Sequence, residues 1–228
     1  YFVIEAENGV KGLKLAEETI PDLIISDIMM PEMDGYELSQ KIKTNDKTNH
    51  IPVILLTAKA ETKDKLEGLE TGADDYLIKP FNSDELIIRV KNLIKIRRQL
   101  REKYQSQMLV KPADVVVPSI QKVFLDKLTS IIEKNISNDN FSVEMLCDEI
   151  GMSRAQLHRK IKALTNQSAS EFIRNFRLQR ASELLKQNAG NIAEISYQVG
   201  FNSQAYFTKM FQELYGQTPL EFKKQHSK

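Results

Sequence analysis

Three short apolar runs, each closing on a residue with chemistry to offer, constrain this chain more than anything else in it. Leu23-Ile24-Ile25 leads through Ser26 into Asp27, and Ile51-Pro52-Val53-Ile54-Leu55-Leu56 leads into Thr57. Asp74-Asp75-Tyr76-Leu77-Ile78 leads into Lys79-Pro80-Phe81. Apolar runs of this length suit strands buried on both faces, the pattern of a parallel sheet. Helical spacing between them supplies the crossovers that such a sheet needs. Val10, Leu13, Leu15 and Ala16 predict a short helix that Pro21 shuts off, and Tyr36, Leu38 and Ile42 predict another near 35–43. A further helix is expected from Thr62 to Thr71, with Gly72 as its C-cap, and Asn82-x-x-Glu85 reads as a capping box opening a long last helix. Tyr1 to Ala6 reads as one more strand, already under way at residue 1. In an open α/β sheet the carboxyl ends of the strands face one crevice, so an acid, a hydroxyl and an ammonium are expected to meet there.

This trio, with Met30-Pro31-x-Met33-Asp34-Gly35 and Lys79-Pro80, resembles the receiver domain of two-component response regulators over about residues 1–105. The resemblance implies a flavodoxin-like fold with Asp27 as phosphoacceptor. It implies that Thr57 and Lys79 bind the phosphoryl oxygens, that Tyr76 is the switch aromatic, and that Lys79-Pro80 is cis. The alternative for Tyr76, an ordinary strand-end tyrosine packed at a helix, stays open. Mg²⁺ would be held by Asp27, the Met29 carbonyl and an adjacent pair of acids. That pair belongs to a first strand and helix missing from this sequence, which would lie between the Tyr1–Ala6 and Asp27 strands. The sequence is therefore expected to be a piece of a longer gene product, with an incomplete metal site.

Charge divides the chain. Residues 1–90 carry ten Lys/Arg and eighteen Asp/Glu, whereas the net charge is +5 over 91–118 and +4 over 119–228. Nucleic acid, if it binds, is expected at the basic back half. The single Cys147 allows no intrachain disulfide and suits a reducing cytoplasm. The three histidines show no metal-ligand spacing, and no run approaches the roughly 18 apolar residues of a membrane span, so no membrane contact is expected from this segment. Between Gln105 and Pro118 two prolines and Val115-Val116-Val117 break the helical period. This gives a receiver at 1–104, a linker at 105–118 and a second domain at 119–228.

The second domain contains a duplication. Leu146-x-x-x-Ile150-Gly151-Met152-Ser153 is echoed by Ile195-x-x-x-Val199-Gly200-Phe201-Asn202-Ser203, each followed by an amphipathic segment. Helix, glycine turn, helix is the helix-turn-helix plan, whose second helix enters the major groove. Ser170 to Gln187 reads as a connecting helix about 27 Å long at 1.5 Å per residue, long enough to set two such helices roughly one DNA turn apart. With Gly200-Phe201-x-Ser203 and Gly216-x-Thr218-Pro219, the block resembles the AraC-type DNA-binding domain. Opposite the Leu157/Ile161 stripe lie Arg154, Gln156, His158, Arg159 and Lys162, with Ser153 as N-cap; Ser203, Gln204, Tyr206 and Lys209 take the equivalent face in the second copy. For any one of them, base reading and a backbone-contacting or solvated role both stand open.

Together these readings predict a cytoplasmic, phosphorylation-controlled transcription regulator that is not itself an enzyme, an all-α double helix-turn-helix domain following the α/β receiver. Its partners would be double-stranded DNA, a histidine kinase that could share the polypeptide, and a second copy of itself once phosphorylated. The alternative is a receiver that serves as a non-phosphorylated docking or dimerisation module. Substrate turnover at Asp27 is disfavoured because no second acid or base accompanies it.

Overall fold

The computed structural model describes residues 1–58, 72–107 and 119–226. They form two compact units, one α/β and one helical.

In the first unit α1 (Gly9–Thr19) leads to β1 (Ile24–Asp27), α2 (Gly35–Thr44), β2 (Val53–Thr57), β3 (Asp75–Ile78) and the long α3 (Ser83–Gln107). The strands are parallel in the order β1-β2-β3, with Ile24 against Val53 and Ile54 against Asp75 in register. One face of the sheet packs Val53 and Leu55 against Ala16, Leu38 and Ile42 of α1 and α2. The other packs Ile54 and Leu77 against Val90 of α3. Burial on both faces explains the continuous apolar runs.

Asn8 caps α1 and Asp34 caps α2, each side chain accepting from the amide three residues on. At the far end of the sheet, Lys43 Nζ donates to the Ile51 carbonyl (2.9 Å) and to Asp74 Oδ2 (2.6 Å), which also accepts from the Val53 amide (2.7 Å). Burial lowers the Lys43 pKa against the pull of Asp74, and the three groups lock α2 to the starts of β2 and β3.

Two expectations fail here. Tyr1 to Ala6 forms no strand, and Tyr1, Phe2, Val3 and Ile4 are exposed. An extended segment holds a sheet position only where a neighbour satisfies its backbone, and among the described residues no strand lies beyond β1 to offer one. The capping box before α3 does not form either. Asn82 Oδ1 accepts from the Asp84 amide (3.0 Å), while the Glu85 carboxylate turns to Arg89 (2.8 Å), which also grips Asp75. An i,i+4 charge pair competes with the cap for the same acid. The Thr62–Thr71 helix lies outside the described residues, as does most of the 105–118 linker, although α3 itself runs on to Gln107.

The second unit is all helical: α4 (Ser119–Lys134), α5 (Val143–Ile150), α6 (Arg154–Thr165), α7 (Ala169–Lys186), α8 (Ile192–Gln198), α9 (Gln204–Tyr215) and α10 (Pro219–His226). Reciprocal caps open α7 (Ser168 with Glu171) and α8 (Asn191 with Glu194). Gly151 ends α5 in the left-handed region at φ 74°, and Gly200 follows α8 at φ 78°. Both duplicated turns thus use the same backbone device. Around the second of them, Phe201, Phe207, Phe211, Tyr215 and Phe222 pack ring against ring at centroid distances of 4.5 to 5.7 Å along the series.

Candidate functional site

The sheet brings three of the sequence-selected residues to one end. Asp27 is the last residue of β1, Thr57 the last of β2, and Lys79 follows β3 directly. Register fixes the convergence: Asp27 lies opposite Leu56, Thr57 lies opposite Ile78, and the Lys79 amide donates to the Thr57 carbonyl at 2.6 Å. Lys79-Pro80 is cis, as the sequence resemblance implies. Lys79 Nζ reaches across to Asp27 Oδ2 at 2.5 Å, while Asp27 Oδ1 accepts from the Met29 amide at 3.3 Å. Tyr76, opposite Leu55 and two positions before the end of β3, is partly buried against the α1/α2 side of the sheet. Gly35 is essential to this end of the fold, because a Cβ there would sit 2.3 Å from the Asp27 carbonyl oxygen.

Burial pushes the Asp27 carboxyl up, but the Lys79 hydrogen bond, the Met29 amide, the Lys79 charge and the Ile28 amide outweigh it and hold it below the ordinary carboxylate value. Folding therefore favours the ionised form. The stability this contributes is present above the ordinary value of 3.8 and is lost as the pH falls through the depressed folded one. In Lys79→Gln, the Asp27 carboxyl should titrate above its wild-type value when followed by carbon-detected NMR. An unchanged titration would mean that the pair does not interact in solution.

A Mg²⁺ site does not fit the residues present. Asp27 brings one carboxylate, already engaged on both oxygens, and among the described residues no group of three or more His, Cys, Asp or Glu is placed to hold a metal ion. A hard divalent cation bound through carboxylates needs more oxygen charge than this single group offers.

In the helical unit, α5–α6 and α8–α9 form the two helix-turn-helix pairs, joined by the 18 residues of α7. Ser153 caps α6: its Oγ accepts from the Gln156 amide (3.3 Å), and Gln156 Oε1 accepts from the Ser153 amide (3.2 Å). Gln156 thus spends its side chain on the cap. Lys162 Nζ donates to the Asn166 carbonyl (2.8 Å), and Arg154 pairs with Glu144 of α5 (2.8 Å). His158 and Arg159 stand exposed on the outer face of α6, and Gln204, Tyr206 and Lys209 are exposed on α9, with Ser203 capping it.

Two residues passed over in the sequence turn out to organise this unit. Lys160 is fully buried, its ammonium 3.9 Å from the centroid of the Phe124 ring, so one of the four basic residues between 153 and 165 faces the core. Buried Arg177 of α7 donates to the carbonyls of Gly200 (3.0 Å) and Asn138 (2.6 Å), bridging the second turn to the loop before α5. Its position between Phe176 and Leu178, on the apolar side of the helix, is the only clue to this in the sequence.

Comparison with known proteins fits this division. Residues 1–91 match the response regulator receiver domain family, and residues 146–225 match a helix-turn-helix domain family. Histidine kinase P4 of Formosa agariphila is 46% identical over 227 residues, which is 100% of this chain but 17% of that protein. The DNA-binding dual master transcriptional regulator RpaA of Synechocystis is 43% identical over 95 residues, covering 42% of this chain and 39% of RpaA. Among solved structures, a transcriptional regulator with an AraC-type DNA-binding domain from Chromobacterium violaceum is 28% identical with a TM-score of 0.45, covering 49% of this chain and 98% of that one. The chain thus carries a response regulator receiver domain over residues 1–91 and a helix-turn-helix domain over residues 146–225, and its helical unit holds the helix-turn-helix motif twice.

Proposed function

We propose that this chain is a phosphorylation-regulated, sequence-specific DNA-binding regulator in which Asp27 takes the phosphoryl group. The observation that carries the reading is the Asp27–Lys79 pair, set beside Thr57 at the joint mouth of three parallel strands. An ionised Asp27 oxygen attacks the phosphorus of a phosphohistidine. The new O–P bond makes an acyl phosphate, the N–P bond breaks, and the imidazole leaves with the electron pair and takes up a proton from solvent. Lys79 then exchanges a carboxylate for a phosphoryl oxygen, and the Thr57 hydroxyl donates to another. Tyr76 of β3 would register the change as the switch aromatic.

The phosphorylated receiver then favours a homodimer, and two linked helix-turn-helix domains raise the effective concentration at paired DNA sites. Since the chain corresponds to 17% of Histidine kinase P4, we place the kinase partner in the same polypeptide, working in the cytoplasm. No described helix is long and apolar enough to cross a membrane.

The test uses the natural protein with acetyl phosphate and Mg²⁺, read by intact mass and by binding to genomic DNA fragments. A phosphoryl adduct that vanishes in Asp27→Ala, together with tighter DNA binding by the adduct, is the expected result. Absence of any adduct, with DNA binding indifferent to Asp27→Ala, would favour the docking-module reading.

A further inference from the structure

A cavity of about 410 Å³ opens beside the second helix-turn-helix pair. Ser170 and Arg174 of α7 form one wall, Asn202 and Tyr206 at the start of α9 another, and buried Arg177 lies behind them. Arg177 is 9% exposed and commits both Nη groups to backbone carbonyls, yet its Nε is buried with no partner. Arg174, half-buried, makes no hydrogen bond or ion pair among the described residues. Against these two guanidiniums the cavity offers a single acid, the exposed Asp139. An arginine held half out of water without a carboxylate, beside two hydroxyls and an amide, is a site for an oxyanion. Tyr206 belongs both to this cavity and to the outer face of α9, so the site adjoins the surface assigned above to DNA.

We infer that the cavity takes a phosphate of the DNA backbone. Arg174 supplies the charge, Ser170, Asn202 and Tyr206 the neutral hydrogen bonds, and Arg177 the positive background. The inference rests on the DNA-binding reading. Such a contact carries no sequence information and serves to fix how α9 sits on its groove.

Fluorescence anisotropy of the full chain with a random-sequence duplex, across a KCl series, tests it. Arg174→Gln should weaken binding by about tenfold and reduce the slope of log K against log salt by about one. Arg174→Lys should restore the slope but not all of the affinity, because an ammonium cannot offer a planar fork. Lys127→Gln, which removes one charge from exposed α4, should change neither. The melting temperature of Arg174→Gln should equal that of the wild type, since the side chain makes no bond in the fold. Arg174→Gln binding with wild-type affinity and slope overturns the assignment. If inorganic phosphate raises the wild-type melting temperature through Arg174 while DNA binding ignores that residue, the cavity is a small-anion site instead, and the assignment fails. A wild-type chain that binds no duplex sinks the DNA reading itself, and the cavity assignment with it.

Discussion

Phe207→Ala is expected to unfold the second helix-turn-helix while leaving the receiver standing. The ring is fully buried, edge-on to Phe201 at 5.2 Å and 5.7 Å from Phe211. Truncating such a side chain costs about 3–5 kcal/mol. A domain holds only about 5–15 kcal/mol in total. Because the chain forms two compact units, denaturant unfolding should show two transitions, and only the helical one should move. Receiver resonances that shift to the same midpoint would contradict this. Tyr206→Ala, one residue away but 46% exposed, is the control and should leave both transitions nearly in place.

The second large effect is on the other unit. Gly35 begins α2, and its amide donates to the Ile28 carbonyl at 3.0 Å. A methyl group there would meet the Asp27 carbonyl oxygen at 2.3 Å and Ile28 Cα at 2.9 Å. Both are backbone atoms, so no rotamer change relieves the overlap; the loop that carries Asp27 has to shift. Overpacking of this kind costs about 1–3 kcal/mol. A displacement of about 1 Å at a reacting group can cost about 10²-fold in rate. Gly35→Ala should therefore stay folded by circular dichroism but take up phosphate about a hundredfold more slowly than wild type. Wild-type uptake would show that Asp27 is not positioned by this contact.

How much of this was legible in the residues depended on whether a feature is local. The ends of β1, β2 and β3 could be read because a strand buried on both faces leaves an uninterrupted apolar run, and the residue after the run marks the sheet edge. The duplicated turns could be read because glycine is needed where φ is positive. The Tyr1–Ala6 segment has strand composition too, but composition cannot report whether a neighbouring strand is there to pair with it. The outer face of α6 was legible as a face, not as a set of free side chains. Gln156 closes a cap, Lys162 binds the end of its own helix and Arg154 is claimed by Glu144, each partner lying within a turn or across a loop. Arg177 went unread because its partners are carbonyls 23 and 39 residues away, and every residue has a carbonyl.

That last contact bears on how such a domain diversifies. The guanidinium of Arg177 is fastened to main-chain oxygens, which survive any substitution of the side chains around them. Residues on the exposed faces of α6 and α9 can thus be exchanged without breaking this bridge between the second turn and the loop before α5.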